Sequence, residues 1–380
     1  SLEVALTLAI AVNCVNLILD LRKTMTQPSG MDEEHILALT VRPHGEAFRD
    51  ADFARAVRES DLELLEKLPG VRAAIQTQNV PLSGGGSASG RRPLGAEGSS
   101  FATPYFRVTR SALETFGVEL LAGRDFTEAD YRDEPNRLNV IVSKAMADLL
   151  FPDGDALGKQ ISDGREQDIN TIIGITDHML NSWPDTNIAD RVMLMPIADE
   201  RREYTYYLVR AEPGELDRLY LSVESALLAA NPGRVVDVAT LSEVRADNFR
   251  ISRAVIQLLS GVIGLLMLVT ALGIVGLTSF SVTQRIRHIG VRRALGATRG
   301  AILRYFLAEN WLITTLGIVF GIGLAYLLNY GLMTYANGVR LGWPLLAGGA
   351  VFLWTVGLLA ALAPALRGTR VAPVVATRSV

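Results

Sequence analysis

Six arginines, Arg285, Arg287, Arg292, Arg293, Arg299 and Arg304, stand with a single carboxylate, Glu309, in a stretch otherwise built of apolar and small residues. Guanidinium groups are permanent cations with several fixed donors, so such a cluster suits the recognition of another surface. It does not suit bond-breaking chemistry, which needs a base, nucleophile or metal set in place. His288 lies among the arginines and reads as a partly exposed residue at a helix end, not as a pH sensor. Gly290 and Gly296 punctuate the stretch and allow a tight turn and close contact that a Cβ would obstruct. The link 285–300 is therefore a contact surface.

Other residues able to do chemistry do not assemble into a motif. His35, His44, His178 and His288 show no metal-ligand spacing. Cys14 is the single cysteine and lies in an apolar run, which excludes an intrachain disulfide and argues against a reactive thiol. Asp125, Glu128, Asp130 and Asp133 form a local acidic cluster, read as a solvated helix N-terminus capped by Thr127 in preference to a cation site. Ser83 to Gly90 (SGGGSASG) is Gly-rich, yet Arg91, Arg92 and Pro93 follow where a phosphate-binding loop needs Gly-Lys-Ser/Thr. It is expected to be a flexible surface loop. With no GxxxxGK[ST] in the sequence, ATP hydrolysis that energises this chain is expected on another polypeptide.

The elements that carry the basic link are membrane spans. Ala254 to Phe280 and Trp311 to Tyr335 hold no formal charge, and each exceeds the roughly 20 residues that cross a ~30 Å hydrocarbon layer. Leu341 to Leu366 is a third such run, and Leu2 to Leu19, with Glu3 at its start, is a shorter apolar fourth. A secretory signal is the rival reading of the first run, but it has no basic leader, so a retained span is expected. The chain is read as beginning inside or at the edge of that helix. Spans are placed at 1–21, about 251–283, 303–335 and 341–366. Arginine enrichment in a short link marks the cytoplasmic face. Both termini are then cytoplasmic, and the segment from about Arg22 to Arg253 lies outside.

Charge divides the chain in the same way. From Ala254 onward there are ten arginines and one acid, Glu309, whereas acids outnumber bases before it. The mean hydropathy of +0.25 is only mildly high, as expected when a large polar domain dilutes a small membrane domain. Glu309 is the one carboxylate inside the last three spans, where such a group is costly and marks either function or an interfacial anchor. Gly317 and Gly321 form a GxxxG step suited to close helix packing.

The outer segment, 22–250, carries a repeat. His35 to Val41 and Val71 to Val80 read as strands around a helix at Asp52 to Leu68; Tyr204 to Arg210 and Arg234 to Ala239 read as strands around a helix at Glu215 to Ala230. Pro69-Gly70 ends one helix and Pro232-Gly233 the other. The two arms predict a ferredoxin-like, porter-like subdomain at 31–105 and 197–245, with a strand-rich subdomain inserted at 106–196. The fold class is thus a four-span α-helical membrane protein with a large α+β outer domain. No Gly or Pro interrupts the run from Leu241 into the second span, which predicts one continuous helical lever.

Arg287 to Ala297 (RHIGVRRALGA), followed by Ile302, Phe306 and Glu309, resembles the FtsX-like domain of MacB-type ABC transporter permeases. The ending Pro364 to Arg367 with Pro373 and Ala376 resembles the same family, as do Tyr105-Phe106, Gly117, Leu121 to Phe126, Leu150 to Pro152 and Leu157-Gly158 in the outer segment. The family has an acidic residue where this chain has His288.

The resemblance implies a bacterial inner-membrane permease, dimeric with itself or a second permease, whose outer domain is periplasmic and whose 285–300 link binds a cytoplasmic ABC ATPase. ATP and magnesium would be held by that ATPase; this chain would bind no cofactor and no nucleic acid. A periplasmic adaptor and an outer-membrane channel are implied for export, driven by mechanical transmission of the ATPase stroke. A lipoprotein-releasing or cell-wall-hydrolase-regulating permease, and a non-transporting membrane sensor, remain alternatives.

Overall fold

In the computed structural model the described residues are 2–131, 137–197, 204–336 and 339–369. The chain divides into two units, Thr24–Arg250 and Ser1–Lys23 with Ile251–Val380. This division follows composition, with charged and strand-forming residues in the middle and long apolar runs at either end.

The first element is α1 (Leu2–Thr26), which continues past the expected end of the first span through Asp20, Arg22 and Lys23. The α/β unit follows. It begins with β1 (Ile36–Pro43), α2 (Ala51–Lys67) and β2 (Val71–Thr77). Next come β3 (Ser87–Pro93), β4 (Phe101–Val108), α3 (Ala112–Phe116), β5 (Leu120–Gly123), β6 (Arg137–Ser143), α4 (Lys144–Leu150), β7 (Gln160–Ser162), β8 (Ile169–Thr176) and β9 (Met193–Pro196). It ends with β10 (Thr205–Ala211), α5 (Leu216–Ala230), β11 (Arg234–Thr240) and α6 (Leu241–Asn248).

At one end of the sheet the order is β11-β1-β10-β2, each strand antiparallel to its neighbours. Strands distant in sequence therefore sit side by side. Alternation sorts their side chains: Leu37, Leu39, Tyr207 and Val209 face α2 and α5 through Leu65, Leu219, Val223 and Leu227, whereas Ile36, Ala38 and Leu208 join a second core behind the sheet. Beyond β2 the path runs β4-β3-β7-β8-β6-β9, and β9 also lies parallel to β4, so these six strands close into a ring. Ser87 to Gly90, expected as flexible loop, belong to β3 and pair with Ala102 to Tyr105. Small residues permit this approach, since a Cβ on Gly90 would lie 2.9 Å from Ser100 Cβ.

Two polar knots hold the unit. Asp61 on α2 pairs with Arg234 at the head of β11, and the Tyr207 hydroxyl donates to Asp61 Oδ2 at 3.2 Å. In the acidic cluster, Asp130 is buried and not solvated. Arg124 donates to its two oxygens at 2.7 and 3.0 Å, Asn139 at 2.6 Å, and Thr127 through both its N–H and its hydroxyl at 2.6 and 2.8 Å. Thr127 thus donates to the acid it was expected to accompany as a cap, and no group of three or more metal-ligating side chains occurs among the described residues. Asp133 lies outside the described residues.

The remaining chain is helical. Thr240 and Glu243 form a capping box that starts α6. The continuous helix expected from Leu241 onward is interrupted: Phe249 takes φ −87° and ψ 11°, and α7 (Arg250–Gln284) begins after it. Phe249 is buried, and no Gly or Pro marks this turn. Next come α8 (Ile286–Ala294), α9 (Arg299–Ala336) and α10 (Trp343–Thr369). The helices α1, α7, α9 and α10 are long and apolar enough to cross a membrane.

Val4, Leu8 and Val12 of α1 pack with Ile274, Ile318, Ala325, Leu346 and Leu353 of the other three spans. Polar groups bind the bundle where water is absent. Thr7 and Thr270 share a hydrogen bond of 2.7 Å, Asn13 donates to Ala325 O at 3.1 Å, and Asn329 donates to Asn13 Oδ1 at 3.2 Å.

Candidate functional site

Two short breaks shape the basic link. Arg285 separates α7 from α8, and its N–H still reaches Ser281 O at 3.2 Å. At the other end Gly296 has φ +94°, and Ala297 N–H bonds Arg292 O at 3.0 Å, a six-to-one closure with glycine in the left-handed position. Thr298 then starts α9, its Oγ1 accepting from Ala301 N–H at 3.2 Å. The link is a short helix between two sharp turns.

One face of that helix is fixed. Ile289 is buried with Val282, Ile302, Phe306 and Ala365, and Gly290 beside it is buried too. The other face is open. Arg287, His288 and Arg292 are exposed, as is Arg299 at the start of α9, and Val291 and Leu295 stand 53% and 83% exposed among them. The side chain of Arg293 lies outside the described residues. An open groove of about 640 Å³ runs between α8 and α9, lined by Arg285, His288, Ile289, Arg292, Ile302 and Tyr305 among others.

Glu309 belongs to this site. Its Oε2 accepts from Arg285 Nη1 at 2.8 Å, and the same nitrogen lies 3.1 Å from the Tyr305 hydroxyl. The Arg292 guanidinium stacks 5.3 Å from the Tyr305 ring centre. Tyr305 joins two of the arginines and was missed by sequence reasoning. Its position one helical turn before Glu309 was the available signal.

Gly317 and Gly321 stand apart from the link. Gly317 is buried on α9, and a Cβ on Gly321 would meet Ala5 O at 3.0 Å, so this step receives α1. Arg287, His288 and Arg299 make no ion pair among the described residues. The site has the charge, exposed apolar side chains and rigid support to bind another protein.

Comparison with known proteins matches residues 4–221 to the MacB-like periplasmic core domain and residues 260–373 to the FtsX-like permease C-terminal region. The chain is 27% identical over 271 residues to the uncharacterized ABC transporter permease YknZ of Bacillus subtilis, covering 69% of this chain and 66% of that one. It is 24% identical over 328 residues to the macrolide export ATP-binding/permease protein MacB of Chromobacterium violaceum, covering 81% of this chain and 49% of that one. The chain thus spans about two thirds of the first relative and half of the second. The periplasmic region of MacB from Actinobacillus actinomycetemcomitans aligns with a TM-score of 0.40 and 13% identity, over 60% of this chain and 98% of that structure.

Proposed function

This chain belongs to the family of ABC transporter permeases that join a MacB-like periplasmic core domain to an FtsX-like C-terminal region, and on that premise we propose that it is the permease subunit through which a separate cytoplasmic ATPase drives export. The observation that carries this reading is the exposed pair Val291 and Leu295 set among Arg287, His288, Arg292 and Arg299 on a rigidly backed turn. A leucine 83% exposed beside arginines is a docking knob, since apolar side chains grouped at a charged rim mark protein contacts.

In this reading the link faces the cytoplasm, as its arginines require, and both termini lie on that side. ATP and magnesium stay on the ATPase, and this chain takes no cofactor. The β1-α2-β2 and β10-α5-β11 arms act as a porter-like subdomain in the periplasm, with the strand ring as its insert. A second permease, identical or related, completes the dimer. The exported substrate meets the periplasmic domain and leaves through an adaptor and outer-membrane channel, while closure of the ATPase pushes on α8 and moves the helices joined to it.

The test is reconstitution of the full-length protein in lipid with candidate ABC ATPases from the same cell. A partner that co-purifies and whose ATP turnover rises with the permease supports the reading. Absence of any such partner leaves the sensor alternative. A partner together with release of lipoproteins in place of adaptor-dependent efflux selects the lipoprotein-releasing alternative.

A further inference from the structure

Near the link, within the helical unit, α1, α7 and α9 line a small, partly open cavity of about 60 Å³. Its walls carry oxygen: Glu3, Thr278, Ser281, Asn310 and Thr314, with Glu309 at one side. Glu309 is already held by Arg285 at 2.8 Å, so it is accounted for. Glu3 makes no hydrogen bond or ion pair among the described residues, and it is the carboxylate left over.

The hydroxyls are also unspent. Thr314 and Thr278 are 2% and 8% exposed, yet neither donates to its own helix backbone or to any other group among the described residues. Threonines elsewhere in the spans do donate, as Thr315 does to Trp311 O at 2.7 Å and Thr355 to Val351 O at 2.9 Å. Asn310 uses its Nδ2 on Gly357 O at 2.9 Å, which fixes the amide and leaves Oδ1 as an unused acceptor. Buried polar groups are almost always satisfied, so this concentration of free oxygens in an apolar bundle calls for an occupant.

We propose that Glu3, Thr278, Thr314 and Asn310 bind one monovalent alkali cation, partly hydrated, between α1, α7 and α9. Oxygen donors of this hardness select hard cations and exclude soft ones. A single unpaired carboxylate balances a single positive charge. A divalent ion would leave a net charge in a low-dielectric setting and, for magnesium, would demand a full octahedral shell. The cavity admits a cation with water, since one water needs about 10–15 Å³ of such volume. Arg285 already neutralises Glu309, and α10 adds no charged side chain to the lining.

Gly273 is part of the site's design. A Cβ there would lie 2.4 Å from a Glu3 carboxylate oxygen, so any side chain at this point of α7 would push the carboxylate away from where it sits. Occupancy would tie α1 to α7 and α9 at the level of the link, through ligands from all three helices.

The experiment uses the full-length protein in lipid nanodiscs with sodium chloride against choline chloride at equal ionic strength. Sodium should raise the melting temperature in a saturable way, because a ligand that binds only the folded state stabilises it by mass action. Glu3→Gln and Gly273→Ala should lose the sodium-dependent increment, while Thr315→Val, outside the cavity, keeps it. Sodium-23 relaxation on the wild-type protein reads binding directly, even if a variant folds poorly. Equal melting in sodium and choline together with unchanged sodium-23 relaxation overturns the proposal in favour of a cavity holding water alone. Retention of the full increment by Glu3→Gln, or a response to magnesium but not sodium, overturns it as well.

Discussion

Arg285, at the break between α7 and α8, is joined to Glu309 on α9 by a bond of 2.8 Å that brackets the basic link between the two spans. The only carboxylate among the link's arginines therefore serves as their anchor. The side chains are 41% and 30% exposed, so solvent screens the pair and it adds little to stability. Its larger effect is on orientation. Glu309→Gln should leave the melting temperature within a few degrees of wild type and lower permease-stimulated ATP turnover several-fold. Turnover equal to wild type would show that Glu309 anchors nothing of consequence.

The turn after α8 gives a sharper test. Gly296 sits at φ +94°, where a branched residue costs about 1–2 kcal/mol. Nothing lies within 4 Å of a Cβ placed there, so Gly296→Val strains the backbone without a clash. It should retain membrane insertion, measured by extraction and protease protection, and lose most ATPase stimulation. Gly296→Asn, which tolerates the left-handed conformation better, should recover part of it.

Much of this was legible before any coordinates. Four long apolar runs, three of them free of charge and the first carrying only Glu3, became the four long helices, because length and apolar composition decide whether a helix can cross a bilayer. The strands around α2 and α5 began within a residue or so of expectation, since alternation and Pro-Gly breakers are local signals. What the sequence hid was non-local. The ring made by β3, β4, β6, β7, β8 and β9 depends on pairings such as Phe106 with Leu194, which no short-range pattern encodes. Asp130 read as solvated because Asn139 and Arg124, which bury it, are supplied by other elements. The break at Phe249 escaped notice because no Gly or Pro marks it.

The α/β unit should fold alone. Residues 24–250 contain no cysteine and form one unit, so a fragment of that span should melt cooperatively with or without reductant. Asp61→Ala in that fragment leaves Arg234, 1% exposed, without its counter-charge. Loss of one partner of a buried pair costs about 3–5 kcal/mol, a fall on the order of 10 °C for a domain of this size. A change of less than 2 °C would mean that water satisfies Arg234.

Acid should unfold the same fragment partly through Asp130. Hydrogen bonds from Arg124 lead those that hold its carboxyl well below the usual aspartate range, outweighing the opposing effect of burial. A depressed folded value means that the stabilisation is complete above the unfolded pKa of about 3.9 and is lost as pH falls from there through the folded value. Asp130→Asn should therefore be less stable than wild type at pH 7, and the gap should close toward pH 2. A gap that stays constant with pH would assign the loss to packing instead of charge.

Chain connectivity passes between the two units at Lys23–Thr24 and at Arg250–Ile251. The second of these follows directly on buried Phe249, the one residue between α6 and α7. If motion of α8 is relayed along α7, this is where it enters the α/β unit, and the relay depends on Phe249 holding its place. A Gly-Ser segment inserted after Arg250 should keep ATP turnover near wild type, since the link is untouched, and abolish export measured on the same reconstituted complex. Phe249→Ala should do so partially, because the large-to-small change loosens the turn without lengthening the chain. Export at the normal rate in the insertion variant would reject α7 as the relay and leave α1, through Lys23–Thr24, as the route.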